Sequence, residues 1–114
     1  MSNQDKKVLI VEDDEFVADV YKKKLSMEGF SLLMAVDGEE ALRIIAQEHP
    51  DLVMLDLMIP LKDGFEVLEA LRSNESLQST RVIVLSNLSQ ESDIERAKQL
   101  GALDYVIKSN ASLN

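Results

Sequence analysis

Acidic residues close two apolar runs in this chain. Asp56 follows Leu52-Val53-Met54-Leu55, and Glu12-Asp13-Asp14 follows Val8-Leu9-Ile10-Val11. Four adjacent apolar residues are the pattern of a strand buried on both faces of a parallel sheet. An ionised carboxylate straight after such a run is costly in apolar surroundings unless it lies at the sheet's end, where a cation or hydrogen bonds compensate it. If the two strands are neighbours, their carboxylates meet in one crevice and form an oxygen-lined cation site. Ser86 ends a third run, Val82 to Leu85, and Lys108 ends a fourth, Tyr105 to Ile107. Hard oxygen ligands suit Mg2+, which takes one or two carboxylates and leaves positions for waters and phosphoryl oxygens. With a Lys as a mobile charge and a Ser hydroxyl as a donor, the set Glu12, Asp13, Asp56, Ser86 and Lys108 describes a phosphoryl-binding site. A carboxylate in such a site can be the nucleophile, because metal and Lys neutralise the charge developing on the transferred group.

Positioning these residues takes a βαβ rhythm, and the chain has one: short apolar runs alternate with longer amphipathic stretches, with turn signals between them. The first strand, Lys7 to Val11, leads into a helix over Glu15 to Glu28 whose Val17, Val20, Tyr21 and Leu25 share a face, with Gly29 as its stop. Asp14 is a preferred N-cap type and is assigned to that helix rather than to metal. An edge-type strand over Phe30 to Val36 precedes Asp37, which caps a second helix with Glu40 at the reciprocal capping-box position and Ala41, Leu42 and Ile45 turned inward. His49-Pro50-Asp51 breaks this helix, and His49 is read as solvated, without function. The third strand runs to Asp56. A loop to Gly64 opens a helix with Val67, Leu68 and Leu71 buried, then come the fourth strand, a helix over Gln90 to Leu100 stopped by Gly101, and the fifth strand. Right-handed crossovers put every strand-to-helix loop on one edge of a parallel sheet, so the strand-end residues converge there.

Composition narrows the function classes. The chain has 114 residues, 12 Lys plus Arg against 21 Asp plus Glu, and a net charge of -9. One domain over 1–114, with its core at 7–108, is the natural reading. This acidity disfavours contact with phosphate backbones or anionic lipid, so neither direct nucleic-acid binding nor membrane association is expected. The absence of Cys excludes disulfides, thiol catalysis and thiolate metal sites. No apolar run is long enough to span a bilayer, and the first seven residues lack the apolar core of a signal peptide, so a cytoplasmic location is expected. Lys22-Lys23-Lys24 reads as a solvated helix face.

The motifs Val11-Glu12-Asp13-Asp14, Leu55-Asp56-Leu57-Met58-Ile59-Pro60-Leu61-Lys62-Asp63-Gly64, Val84-Leu85-Ser86-Asn87 and Tyr105-Val106-Ile107-Lys108-Ser109, in this order and spacing, resemble response-regulator receiver domains, the phosphoacceptor modules of two-component signalling. The resemblance extends from Val8 to Lys108. It implies an α/β flavodoxin-like fold, a doubly wound five-stranded parallel sheet in the order 2-1-3-4-5. It further implies that Asp56 accepts a phosphoryl group from the phosphohistidine of a sensor histidine kinase or phosphotransfer protein. Glu12, Asp13 and Asp56, aided by the Met58 backbone carbonyl, would hold Mg2+, while Ser86, Asn87 and Lys108 would meet the phosphoryl group. Tyr105 matches an aromatic position that turns inward when the Ser hydroxyl moves, altering the surface offered to a downstream effector protein. The family's protein catalyses only its own phosphorylation and dephosphorylation.

Several positions depart from the family pattern. Ser109 stands where the family has Pro, so a trans Lys108-Ser109 bond is expected, a cis non-Pro bond costing about 2.5–4 kcal/mol. Asn87 replaces a small residue. Met58 and Leu88 are apolar at the positions that influence water attack on the acylphosphate, which predicts a long-lived phosphorylated state. Only six residues follow Lys108, too few for a complete fifth helix. Apolar side chains of the first and third strands would then lack cover unless a partner, such as a second copy in a homodimer, supplies it. No output domain is evident. The alternative of another class is a phosphorylation-independent adaptor that retains the acidic site. A Mg2+-dependent phosphohydrolase fits poorly, since no second acid stands two residues after Asp56.

Overall fold

The computed structural model of the protein describes residues 6–108. Its elements alternate strictly: β1 (Lys7–Val11), α1 (Glu15–Met27), β2 (Ser31–Ala35), α2 (Gly38–Glu48), β3 (Leu52–Leu55), α3 (Gly64–Ser73), β4 (Val82–Ser86), α4 (Glu91–Gln99) and β5 (Asp104–Ile107). The five strands form one parallel sheet in the order β2-β1-β3-β4-β5, the expected flavodoxin-like, doubly wound α/β topology. The predicted fifth-helix truncation and the predicted trans Lys108-Ser109 bond fall on residues 109–114 or their junction, outside the described residues.

Side chains alternate across the pleat, and the two faces of the sheet are covered differently. Leu9, Val11, Val53, Leu55, Val82 and Val84 point into the larger core, where they meet Ala41 and Ile45 of α2, Val67, Leu68 and Leu71 of α3, and Ala97 of α4. Ile10, Met34, Met54, Leu85 and Val106 point to the other face, where they meet Val17, Tyr21 and Leu25 of α1. Burial of β1 is complete from Val8 to Val11, as expected, but β3 is buried only at Val53 and Leu55. The expectation that β1 would lack cover is therefore corrected. Helix α1 packs over β1 and β2, while partial exposure falls on β3, as expected, and also on β4 and β5, at Met54, Ile83 and Val106.

Local signals set the helix ends. Asp14 caps α1, its Oδ1 accepting from Phe16 N at 2.9 Å and Val17 N at 3.3 Å. The helix stops one residue earlier than expected, with Glu28 as C-cap and Gly29 at φ 88, a left-handed conformation that glycine adopts without steric cost. Asp37 caps α2 by accepting from Glu40 N at 2.7 Å, but the capping box is not reciprocal, because Glu40 reaches one residue further back and accepts from Val36 N at 3.1 Å. The reciprocal box lies at α3, between Asp63 and Glu66.

Candidate functional site

In the parallel ladder Val11 stands opposite Leu55, so the residues that follow, Glu12 and Asp56, leave the sheet side by side. One further backbone bond on each fixes them there: Asp56 N–H donates to Val11 O at 3.1 Å and Glu12 N–H to Ala35 O at 3.0 Å. Glu12, Asp13 and Asp56 each present a carboxylate oxygen within 4.8 Å of the other two. Glu12 is 4% and Asp56 7% exposed, while Asp13 is open to solvent. Asp14 is engaged in its cap and belongs to the helix.

Lys108 arrives from the far side of the sheet. Ile107 pairs with Ser86 in register, and the next residue turns its ammonium onto the acids. Lys108 Nζ donates to Asp56 Oδ2 at 3.0 Å and forms an ion pair with Glu12 Oε1. The other Asp56 oxygen accepts from the Met58 N–H at 3.1 Å. Burial pushes the Glu12 carboxyl up to about 7, helped by its hydrogen bond with Asp56 and only partly opposed by Lys108. Burial works against the charge on Lys108, but its hydrogen bonds to Glu12 and Asp56 outweigh that and hold it above the ordinary Lys value.

Ser86 lies at the end of β4, one residue later than its predicted strand, and is fully buried. Its Oγ accepts from the Leu88 N–H at 3.2 Å. Asn87 is exposed, and the Met58 side chain is 60% exposed. Tyr105 is half-buried, its hydroxyl donating to Leu88 O at 2.8 Å. The turn after Asp56 closes on Gly64, whose N–H donates to Leu57 O at 3.0 Å. A Cβ on Gly64 would stand 2.6 Å from Leu57 Cα and 2.8 Å from Asp56 O, so only glycine lets α3 start against the strand end that carries Asp56. His49, at the C-cap of α2, and Lys22, Lys23 and Lys24 are exposed and lie apart from this cluster.

Two groups escaped the sequence reading. Leu88 links Ser86 to Tyr105 through its backbone, which no side-chain pattern reveals. The Tyr21 hydroxyl is buried on the α1 face beside Glu12, and a phenol within the stripe Val17, Val20, Tyr21 and Leu25 was the available signal.

Comparison with known proteins agrees with this arrangement. The family model described as the response regulator receiver domain matches residues 8–113. Among curated proteins, the chain is 40% identical over 105 residues to a probable transcriptional regulator ycf27 of Porphyridium aerugineum, covering 92% of this chain and 42% of that protein. The counterpart in Cyanophora paradoxa is 41% identical over 103 residues, covering 90% and 42%. The chain thus spans about two-fifths of the length of these relatives. Among solved structures, the Mn2+-bound form of response regulator Rcp1 superposes with a TM-score of 0.85 at 30% identity, covering 93% of this chain and 83% of that one. The phosphorylated cyanobacterial phytochrome response regulator RcpA gives a TM-score of 0.85 at 33% identity, covering 95% and 83%. The receiver domain of Francisella response regulator 1452 gives 0.87 at 33% identity, covering 96% and 88%. With the motif order, the sheet order and the acidic cluster in agreement, this chain belongs to the response-regulator receiver domains of two-component signalling.

Proposed function

We propose that Asp56 is the phosphoacceptor. An Asp56 carboxylate oxygen attacks the phosphorus of a phosphohistidine on a sensor histidine kinase or phosphotransfer protein. The P–N bond breaks, the imidazole leaves with the electron pair and takes up a proton, and an aspartyl phosphate remains. The observation that carries this reading is the pairing of Asp56 with Lys108 at 3.0 Å, with Glu12 and Asp13 within ligand distance.

The donor set suits Mg2+: three carboxylates converge with no sulfur or nitrogen ligand among them. Glu12, Asp13 and Asp56, with the Met58 backbone carbonyl, are the ligands we assign. Bound there, the ion supplies positive charge against the phosphoryl oxygens. Relatives support a divalent ion and a phosphorylated state, since one is described as Mn2+-bound and another as phosphorylated. The chain's own residues do the rest. Lys108 pairs with the transferred group, and the Met58 N–H steadies one Asp56 oxygen. Ser86 releases Leu88 and donates to the phosphoryl group, beside Asn87. Tyr105 follows Leu88 and changes the surface presented to an effector protein. The domain, read as one unit over 1–114, catalyses only its own phosphorylation and dephosphorylation. At net charge -9 it is read as acting through protein contacts rather than holding nucleic acid itself, although its curated relatives are named probable transcriptional regulators. No helix among the described residues is long and apolar enough to cross a membrane, in keeping with the cytoplasmic location we propose. Half-exposed Met54, Ile83 and Val106 are the apolar positions that a homodimer would use.

The test is an intact-mass spectrum after incubation with Mg2+ and a small acylphosphate donor, comparing wild type with D56N. One added phosphoryl group, absent without Mg2+ and absent in D56N, is the expected result. No adduct on folded wild-type protein would move a phosphorylation-independent adaptor ahead.

A further inference from the structure

We propose that the Tyr21 hydroxyl is a positioning group for Glu12: it holds Oε2 of the carboxylate through one water, and thereby strengthens cation binding at the acidic site. This rests on the reading of Glu12 as a metal ligand.

Tyr21 occupies the middle of the inward stripe of α1, and its ring packs with Ile10 and Leu85, flanked by Met34, Met54 and Val106. A Leu or Phe would fill this place without burying a polar atom. Buried Tyr hydroxyls normally find a hydrogen-bond partner, and each exception calls for a cause. Tyr21 is 8% exposed, and its hydroxyl has no partner within the protein. Glu12 Oε2 is the other buried side-chain polar atom without one among the described residues.

Both residues line one small cavity of about 10 Å³, together with Asp56, Lys108, Met54 and Leu85. That is about the least volume that holds one water. The chemistry of the two atoms is complementary, because a phenol offers a donor proton and a carboxylate oxygen accepts one. The other Glu12 oxygen is occupied by Lys108. A donor on Oε2 therefore fixes the second oxygen as well and stops the carboxylate from rotating at the site it shares with Asp13 and Asp56. Partners of this kind behind a metal ligand change affinity by roughly 10- to 100-fold when removed.

The experiment is Mg2+ titration of wild type and Y21F by calorimetry, with melting of the metal-free proteins alongside. The chain has two Tyr, Tyr21 and Tyr105, and no Trp, so Y105F reports the absorption of Tyr21 alone. We expect Y21F to bind Mg2+ about 10-fold more weakly with its metal-free melting temperature unchanged. We also expect Mg2+ to shift the Tyr21 absorption of Y105F with the same midpoint as calorimetry. Equal affinities in wild type and Y21F, or a Tyr21 spectrum indifferent to Mg2+, overturn this inference alone. Absence of Mg2+ binding in the wild type overturns it together with the metal-site reading.

Discussion

Ser86 and Tyr105 grip the two backbone groups of one residue between them: the Ser86 hydroxyl accepts from the Leu88 N–H at 3.2 Å, and the Tyr105 hydroxyl donates to the Leu88 carbonyl at 2.8 Å. The segment from β4 to α4 is thereby tied both to the acidic site and to β5. In the proposed mechanism, a Ser86 hydroxyl that turns to a phosphoryl group lets go of Leu88, and the Tyr105 ring is free to follow. That is a local hydrogen-bond exchange biasing a two-state element.

Y105F should cost about 1 kcal/mol of stability, the usual net worth of one hydrogen bond. It should also speed hydrogen exchange at the Leu88 amide, because the loop loses one anchor. Urea denaturation and amide exchange by NMR read the two effects. Wild-type exchange at Leu88 in this variant would mean that Tyr105 does not restrain the loop.

Replacing Lys108 by Met keeps the apolar stem and removes the charge. Glu12 and Asp56 then face each other buried and uncompensated, and the protein should lose about 3 kcal/mol at pH 8. The loss should shrink as the pH falls, since protonation relieves the repulsion. Denaturation of K108M at about pH 8 and about pH 6 tests this, and an equal loss at both would refute the electrostatic cause.

Wild-type stability without metal carries the signature of Glu12. Its carboxyl is raised from 4.5 to about 7 in the folded protein, so between those values the folded state holds more protons than the unfolded one. The Glu12 contribution is fully present below about 4.5, declines as the pH rises towards 7, and is flat above that. Mg2+ requires the ionised form, so its affinity should rise up to about pH 7 and then level off. Calorimetry in buffers of different ionisation enthalpy should detect proton release on Mg2+ binding near pH 6 and little near pH 8. The same proton count at both would show that Glu12 is ionised throughout.

Gly64 sets the position of Asp56 from behind. In G64A the added carbon would press on the Leu57 Cα and the Asp56 carbonyl, both backbone atoms with little room to give. Overpacking of this kind costs about 1–3 kcal/mol, and phosphorylation by a small donor should slow as the strand end shifts. Urea midpoints and the rate of mass increase report the two. Unchanged values would mean that the turn relaxes without moving Asp56.

The aspartyl phosphate should persist, because exposed Met58 and half-buried Leu88 carry no group that could orient an attacking water. A time course of intact mass after donor removal measures its life, and M58N should shorten it. Loss from the wild type within seconds would end this expectation.

Much of this molecule was legible in its residues because the relevant physics is local. Short continuous apolar runs, caps at Asp14 and Asp37, and stops at Gly29 and Gly101 fall within a few residues of the elements they define, so strands and helices emerged with ends shifted by about one or two positions. Acidic residues straight after buried runs announced a site for the same reason: their cost is visible without knowing the fold. Tertiary structure decided which groups meet. Register of Val11 with Leu55 sets Glu12 beside Asp56, and pairing of β4 with β5 carries Lys108 across to both. The packing of α1 over β1 and β2 buries the Tyr21 hydroxyl at a cavity it shares with Glu12 and leaves β3, β4 and β5 less covered. Most of these relationships join residues tens of positions apart, and all are made by hydrogen-bond register and packing that no local pattern encodes.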